Sequence, residues 1–133
     1  MRRLLAACAA LMLVGAAQGI EPPRSPEVQA KLDKWLNGRV PTRREVCIAV
    51  GKTNNPIGID DRTVLFRDGP RIWRNDLLKS TGCGKAGKQY ALVTFSSAGR
   101  LCSGDDVALV DMHEPDVPVG ACELGEFVLY ERP

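Results

Sequence analysis

Thr63-Val64-Leu65-Phe66-Arg67-Asp68-Gly69-Pro70-Arg71-Ile72-Trp73-Arg74-Asn75-Asp76-Leu77 is the stretch around which the chain is organised. Two β-prone runs flank an Asp-Gly-Pro turn signal, and this reads as a β-hairpin. Alternation puts Val64 and Phe66 on one face of the first arm. Trp73, Asn75 and Leu77 share one face of the second, with Ile72, Arg74 and Asp76 on the other. A two-residue turn at Asp68-Gly69 would need the N–H of residue 70, which Pro70 lacks. The expected connection is therefore four residues or more. The hairpin holds one of the two Trp residues and is the expected centre of the core.

Outward from this centre the chain reads as short strands between turn signals. Glu45 to Val50 is a strand with Val46, Ile48 and Val50 on one face, preceded by an Arg39–Arg44 linker. Gly51 to Pro56 is a loop; it lacks the Gly-x4-Gly-Lys-Ser/Thr spacing of a phosphate-binding loop. Leu78 to Lys88 is a Gly- and Lys-rich loop holding Cys83. Gln89 to Ser96 is a strand with Ala91, Val93 and Phe95 on one face, followed by a turn at Ser97-Ala98-Gly99. Arg100–Cys102, Asp106–Met112 and Phe127–Tyr130 are further strands, and His113 to Gly120 is a Pro-containing loop. One helix stands at the start. Ser25 is its N-cap, Pro26 its first residue and Glu27 its first-turn acid, while Val28, Leu32, Trp35 and Leu36 form an apolar stripe. Gly38 is the C-terminal cap of a helix over 26–37. The fold class expected is mainly β: a small antiparallel β-barrel or a two-layer sheet with one N-terminal α-helix and two disulfides.

The N-terminus assigns a compartment. Met1-Arg2-Arg3, the apolar run Leu4–Val14, and Ala17 and Gly19 before Ile20 have the pattern of a secretory signal peptide, residues 1–19. Leu5-Ala6-Ala7-Cys8 spells a lipoprotein box, but cleavage there would leave too short an apolar segment, so Cys8 is read as part of the signal. Without Arg2 and Arg3 the 18 Lys and Arg fall to 16, balancing 16 Asp and Glu in the single domain 20–133. A neutral chain has no bulk field to draw it to nucleic acid or to an anionic membrane. The expected location is exported, in the periplasm or, as the alternative, outside the cell, with no stable membrane insertion after signal cleavage.

Four cysteines remain, Cys47, Cys83, Cys102 and Cys122, and an even number in an exported chain implies two disulfides. Three connectivities are possible; chain order favours Cys83–Cys102 with Cys47–Cys122. A four-Cys zinc site would want a Cys-x-x-Cys pair, and none occurs.

Catalytic chemistry finds little support. The one histidine, His113, lies in the Pro-containing loop, and no Gly-x-Ser-x-Gly elbow occurs. Asp111, His113, Glu114 and Asp116 are potential cation ligands, without EF-hand spacing, and read as a solvated loop. Asp105-Asp106 reads as a turn. No cofactor is expected. The surface singled out for binding is Arg67, Arg71, Trp73 and Arg74, with Arg62 nearby, a stacking and anion-binding set. Asp60, Asp61, Asp68 and Asp76 offset it through cross-strand ion pairs.

Cys47-Ile48, Val64-Leu65-Phe66-Arg67, Trp73-Arg74-Asn75, Leu101-Cys102-Ser103-Gly104-Asp105 and Gly120-Ala121-Cys122-Glu123-Leu124-Gly125-Glu126-Phe127 carry a resemblance. From Cys47 to Tyr130 the chain resembles a family of small exported proteobacterial proteins of unknown function with four Cys. It departs from that pattern after Cys83, where Gly84-Lys85-Ala86 stands for Pro-Gly-Leu. The resemblance implies an exported domain and supplies no catalytic residues. The functional expectation is an exported, disulfide-stabilised β-rich module that binds a protein or an envelope component without catalysis. The alternatives are a small inhibitor of a secreted or envelope hydrolase, with a protruding loop near Cys83, and a hydrolase using Asp111, His113 and Glu114.

Overall fold

Three layers stack on one another: a helix, a five-stranded sheet and a second group of strands. The computed structural model describes residues 22–95 and 98–133. Residues 1–19, expected to be a signal peptide, with Cys8 among them, lie outside the described residues, as do Ser96, the expected end of a strand, and Ser97, the expected start of a turn. Helix α1 (Pro26–Leu36) begins where Ser25 accepts a hydrogen bond from Val28 N–H, with Pro26 in its first turn. It ends before Gly38, whose φ of +70° is the left-handed conformation that glycine adopts without strain.

The strands are β1 (Val40–Glu45), β2 (Cys47–Ala49), β3 (Pro56–Asp60), β4 (Thr63–Asp68) and β5 (Arg71–Asp76). They continue as β6 (Lys79–Thr81), β7 (Tyr90–Thr94), β8 (Arg100–Cys102), β9 (Asp106–Asp111), β10 (Glu114–Glu123) and β11 (Phe127–Glu131). Short 3-10 turns occupy Val50–Thr53 and Cys83–Lys85. All pairings are antiparallel. The sheet orders are β1-β11-β5-β4-β3, β6-β10-β9-β7 and β2-β8. Each keeps two edges, so the closed-barrel alternative is set aside in favour of stacked layers.

Alternation in β4 and β5 sorts the side chains. Val64, Phe66 and Trp73 face Phe127, Leu109, Val107 and Leu101 in the main core. Phe66 and Trp73 both pack against the Phe127 ring, with centroids 6.1 and 6.5 Å away. Leu65 and Ile72 face the other way, onto Leu32, Val28, Trp35 and Leu36 of α1. The central sheet is thus buried on both faces. Removing either cover would expose several aliphatic side chains, each worth about 1.5–3 kcal/mol on burial.

Several expectations are corrected. The β4–β5 connection is two residues, not four or more: Asp68 pairs with Arg71 across Gly69-Pro70. The turn sits one residue later than expected, so the closing donor is Arg71 N–H and the missing proline donor is not needed. Gly69 has φ +59°, which the first position of a primed hairpin turn requires. Strand structure begins at Val40, so Arg39–Arg44 is not a linker; β1 gains its ladder from β11 despite a nearly fully exposed pattern. The chain breaks at Val46, which is exposed, so Val46 and Ile48 do not share a buried face. Residues 114–120 are strand, not loop, because β10 pairs with β9 through two register shifts beside Pro118. The Leu78–Lys88 loop contains β6 and the Cys83–Lys85 turn.

The disulfide pairing is also corrected to Cys47–Cys102 and Cys83–Cys122, with Cα separations of 4.0 and 6.3 Å. Topology overrides sequence proximity. Cys83 follows β6 at one edge of its sheet, beside β10, where Ser80 pairs with Cys122. The chain then crosses to β7 at the far edge before reaching Cys102, which lies directly opposite Cys47 in β2-β8.

Candidate binding groove

The four residues Arg67, Arg71, Trp73 and Arg74 are divided between two faces. Arg71 and Trp73 share a face with Phe66, while Arg67 and Arg74 lie on the helix-covered side. Trp73 is 1% exposed in the core. Its indole N–H reaches Asp68 Oδ2 at 3.4 Å, and the Arg43 guanidinium lies 5.7 Å from its ring centroid. Arg71 pairs with Asp68 at 2.9 Å and with Glu131 at 3.8 Å. Arg74 pairs with Asp76 at 3.0 Å; burial opposes its charge, but Asp76 and Tyr130 outweigh burial and hold its pKa above the ordinary arginine value. Arg62 approaches Asp60 at 3.7 Å. These cations are built into ion pairs, which are worth ~0–1 kcal/mol each where exposed.

Two carboxylates organise that network. Asp68 Oδ2 accepts from Lys52 and Arg71, both at 2.9 Å. The Lys52 hydrogen bond, with help from Trp73 and Arg71, outweighs burial and holds Asp68 below the usual carboxylate range. At Asp60 burial pushes the pKa up. The N–H groups of Arg62 and Thr63 and the Arg24 guanidinium overcome it and hold the carboxyl below its ordinary value. Asp111, His113 and Glu114 sit at the β9–β10 turn, where Asp111 Oδ1 accepts from His113 N–H at 2.9 Å. Among the described residues no three His, Cys, Asp or Glu side chains converge as a cation site. Cys83 is fully buried, and its loop lies against β3 rather than protruding.

A wider concavity lies elsewhere, between α1, the outer edge of β3 and the segment 84–90. Glycine at two positions makes it. Gly58 N–H donates to Ala86 C=O at 2.8 Å, and a Cβ on Gly58 would overlap the Gly84 carbonyl. A Cβ on Gly84 would in turn crowd the backbone of Asp60. Two facing glycines therefore let the Cys83–Lys85 turn dock backbone-to-backbone on β3. Asp61 Oδ1 caps the contact by accepting from Gly84 N–H at 3.1 Å.

The resulting groove has a volume of about 590 Å³. Its floor is Pro56, Ile57 and Ala86; Trp35 and Tyr90 line its sides; Lys31, Lys85 and Lys88 stand around it. It continues into a second depression of about 290 Å³ that shares Trp35, Ile57 and Tyr90 and adds Arg67. Arg67 lies 5.8 Å from the Trp35 ring centroid, so this predicted cation does reach the groove. Lys31 Nζ is anchored to Gly58 C=O at 2.6 Å. Lys88 has φ +51°, among the described residues the only non-glycine with positive φ. A lysine is held in the conformation that favours glycine at the rim of the groove.

No carboxylate, histidine or cysteine is among the described residues lining either depression. Four cations over an apolar, aromatic floor are suited to holding and orienting an anionic group, and the described lining residues include no nucleophile–base pair. Lys31, Lys85, Lys88 and Tyr90 were not marked by sequence pattern, and Trp35 only as part of the helix's apolar stripe, because they come from two separated segments. The available signal was the glycine spacing of Gly82, Gly84 and Gly87 among lysines. Compared with protein-family models, with curated proteins and with solved structures, the chain gives no match.

Proposed function

We propose that this protein is an exported, non-enzymatic binding module whose α1–β3 groove receives an anionic segment carrying apolar groups, presented by a protein or an envelope component. The observation that carries this reading is the groove itself: Lys31, Lys85, Lys88 and Arg67 surround Trp35, Tyr90 and Ile57 with no acid among the lining residues. Elsewhere Arg24, Lys52 and Arg71 are matched by aspartates, at Asp60 and Asp68. Here the positive charge is left for a ligand. Export is supported by the N-terminal pattern, by two disulfides and by the resemblance to exported proteins. Among the described residues no helix is long and apolar enough to cross a membrane.

The test is an NMR titration with a leucine-containing, glutamate-rich hexapeptide and its lysine-rich counterpart. The acidic peptide should shift the amides of residues 31–35 and 84–91 saturably, and the basic one should not. Reversing both exposed lysines, Lys85→Glu and Lys88→Glu, should weaken binding by about tenfold or more. Shifts scattered away from the groove, or equal response to both peptides, would refute the assignment.

A further inference from the structure

The edge of β7 is open. β7 pairs with β9 on one side and is the last strand of its sheet. Met112 N–H donates to Gln89 C=O, which sets the phase of the ladder: residues 89, 91 and 93 turn their backbone groups to β9. Tyr90, Leu92 and Thr94 turn theirs away. Tyr90 confirms the phase, since Gly87 takes both its N–H and its C=O, at 2.9 and 2.8 Å. Leu92 and Thr94 have no backbone partner on that side among the described residues. Each therefore presents one donor and one acceptor.

Protein edges are usually guarded by lysine, proline or a bulge. Tyr90-Ala91-Leu92-Val93-Thr94-Phe95 has none of these and no formal charge. Its outward side chains are Ala91, Val93 at 39% exposure and Phe95 at 76%. We infer that this edge pairs antiparallel with the β7 edge of a second copy of the chain, about a two-fold axis through Val93. That register is the one in which the free groups meet: Leu92 opposes Thr94 of the second copy, and the reverse, giving four hydrogen bonds. Val93 then opposes its own counterpart at the close, non-hydrogen-bonded spacing. Ala91 opposes Phe95 of the second copy, so the most exposed aromatic ring covers the smallest side chain of the strand. A neutral strand brings no like-charge repulsion to such a pair. The two four-stranded sheets would join as one, and an isologous contact of this kind closes without leaving a further edge of β7.

Sedimentation equilibrium of the oxidised protein tests it. The mean mass should rise from monomer toward dimer below about 1 mM, the weak range expected of so short a contact. Val93→Lys places two ammonium groups at the axis and should raise the dissociation constant by about thirtyfold or more. Phe95→Ala should raise it by about tenfold. Val117→Lys, at a still more exposed valine on β10, should leave it unchanged. Circular dichroism checks that each variant keeps its strands. A monomer throughout that range overturns the inference. So does association that survives Val93→Lys, or that Val117→Lys abolishes equally.

Discussion

Asn75 is fully buried in β5, and its amide does the work of a missing ladder rung. Its Nδ2 donates to Gly125 C=O and its Oδ1 accepts from Gly125 N–H, both at 2.8 Å. Gly125 is itself buried, and a Cβ there would collide with Asp76 C=O. The turn from β10 into β11 is therefore held by one side chain against a backbone that only glycine can bring so close. Asn75→Ala strands a buried donor and a buried acceptor, each at ~1–3 kcal/mol. The expected loss is about 2–5 kcal/mol, from a total that for domains of this kind is ~5–15 kcal/mol. Urea unfolding of the oxidised protein should show a midpoint lowered by about 2 M with an unchanged slope. Asn75→Asp sharpens the test. It keeps the acceptor but turns a carboxylate toward a carbonyl, so burial and repulsion raise its folded pKa. A raised carboxyl pKa destabilises above the unfolded value, and the penalty shrinks as pH falls through the folded value. The stability of Asn75→Asp should therefore rise relative to Asn75→Ala on acidification. A cost below about 1 kcal/mol for Asn75→Ala, or no pH dependence in that difference, would refute the rung.

Two further outcomes follow from particular residues. Digestion with trypsin and an Asp-specific protease, without reduction, should link the peptide bearing Cys47 to that bearing Cys102, and Cys83 to Cys122; trypsin alone leaves Cys102 and Cys122 on one peptide, from Leu101 to Pro133, whereas Asp105, Asp106 and Asp111 offer cuts between them. The bridges span 55 and 39 residues, so chain entropy assigns each about 4 kcal/mol, and replacing either pair by serine should cost ~2–4 kcal/mol. Asp60 has a depressed pKa, so its stabilisation is present above the ordinary value of 3.8 and is lost as pH falls below it. Asp60→Asn should lower stability at neutral pH and flatten the acid limb of the stability–pH curve below pH 3.8; an unchanged acid limb would contradict the Arg24–Asp60–Thr63 arrangement.

What was legible in the sequence shares one cause, and what was not shares another. The helix and the β4–β5 hairpin follow from side-chain periodicity, because the helix lays one apolar stripe on the sheet and the hairpin buries apolar groups on both faces: Leu65 and Ile72 under α1, Phe66 and Trp73 in the main core. The edges of the fold carry no such pattern. Val40-Pro41-Thr42-Arg43-Arg44-Glu45 has no buried residue, and only the backbone of β11 makes it a strand. Pro115 and Pro118 argue against a strand, yet β10 accommodates them by shifting register where a donor is missing. Disulfide partners depend on which sheet edge each cysteine reaches, which is topology and not spacing. The groove is illegible for the same reason: Trp35, Ile57 and Tyr90 meet only because Gly58 and Gly84 let two backbones touch. The hairpin that orders the core thus contributes only Arg67 to the groove. Trp73 is consumed in packing and Arg71 in ion pairs, while Arg67, alone of the four marked residues, turns over Trp35 at the mouth of the groove. Trp73 and Arg71 are committed to holding the fold, and under the binding function proposed here the charges available for recognition stand where the two glycines open the surface.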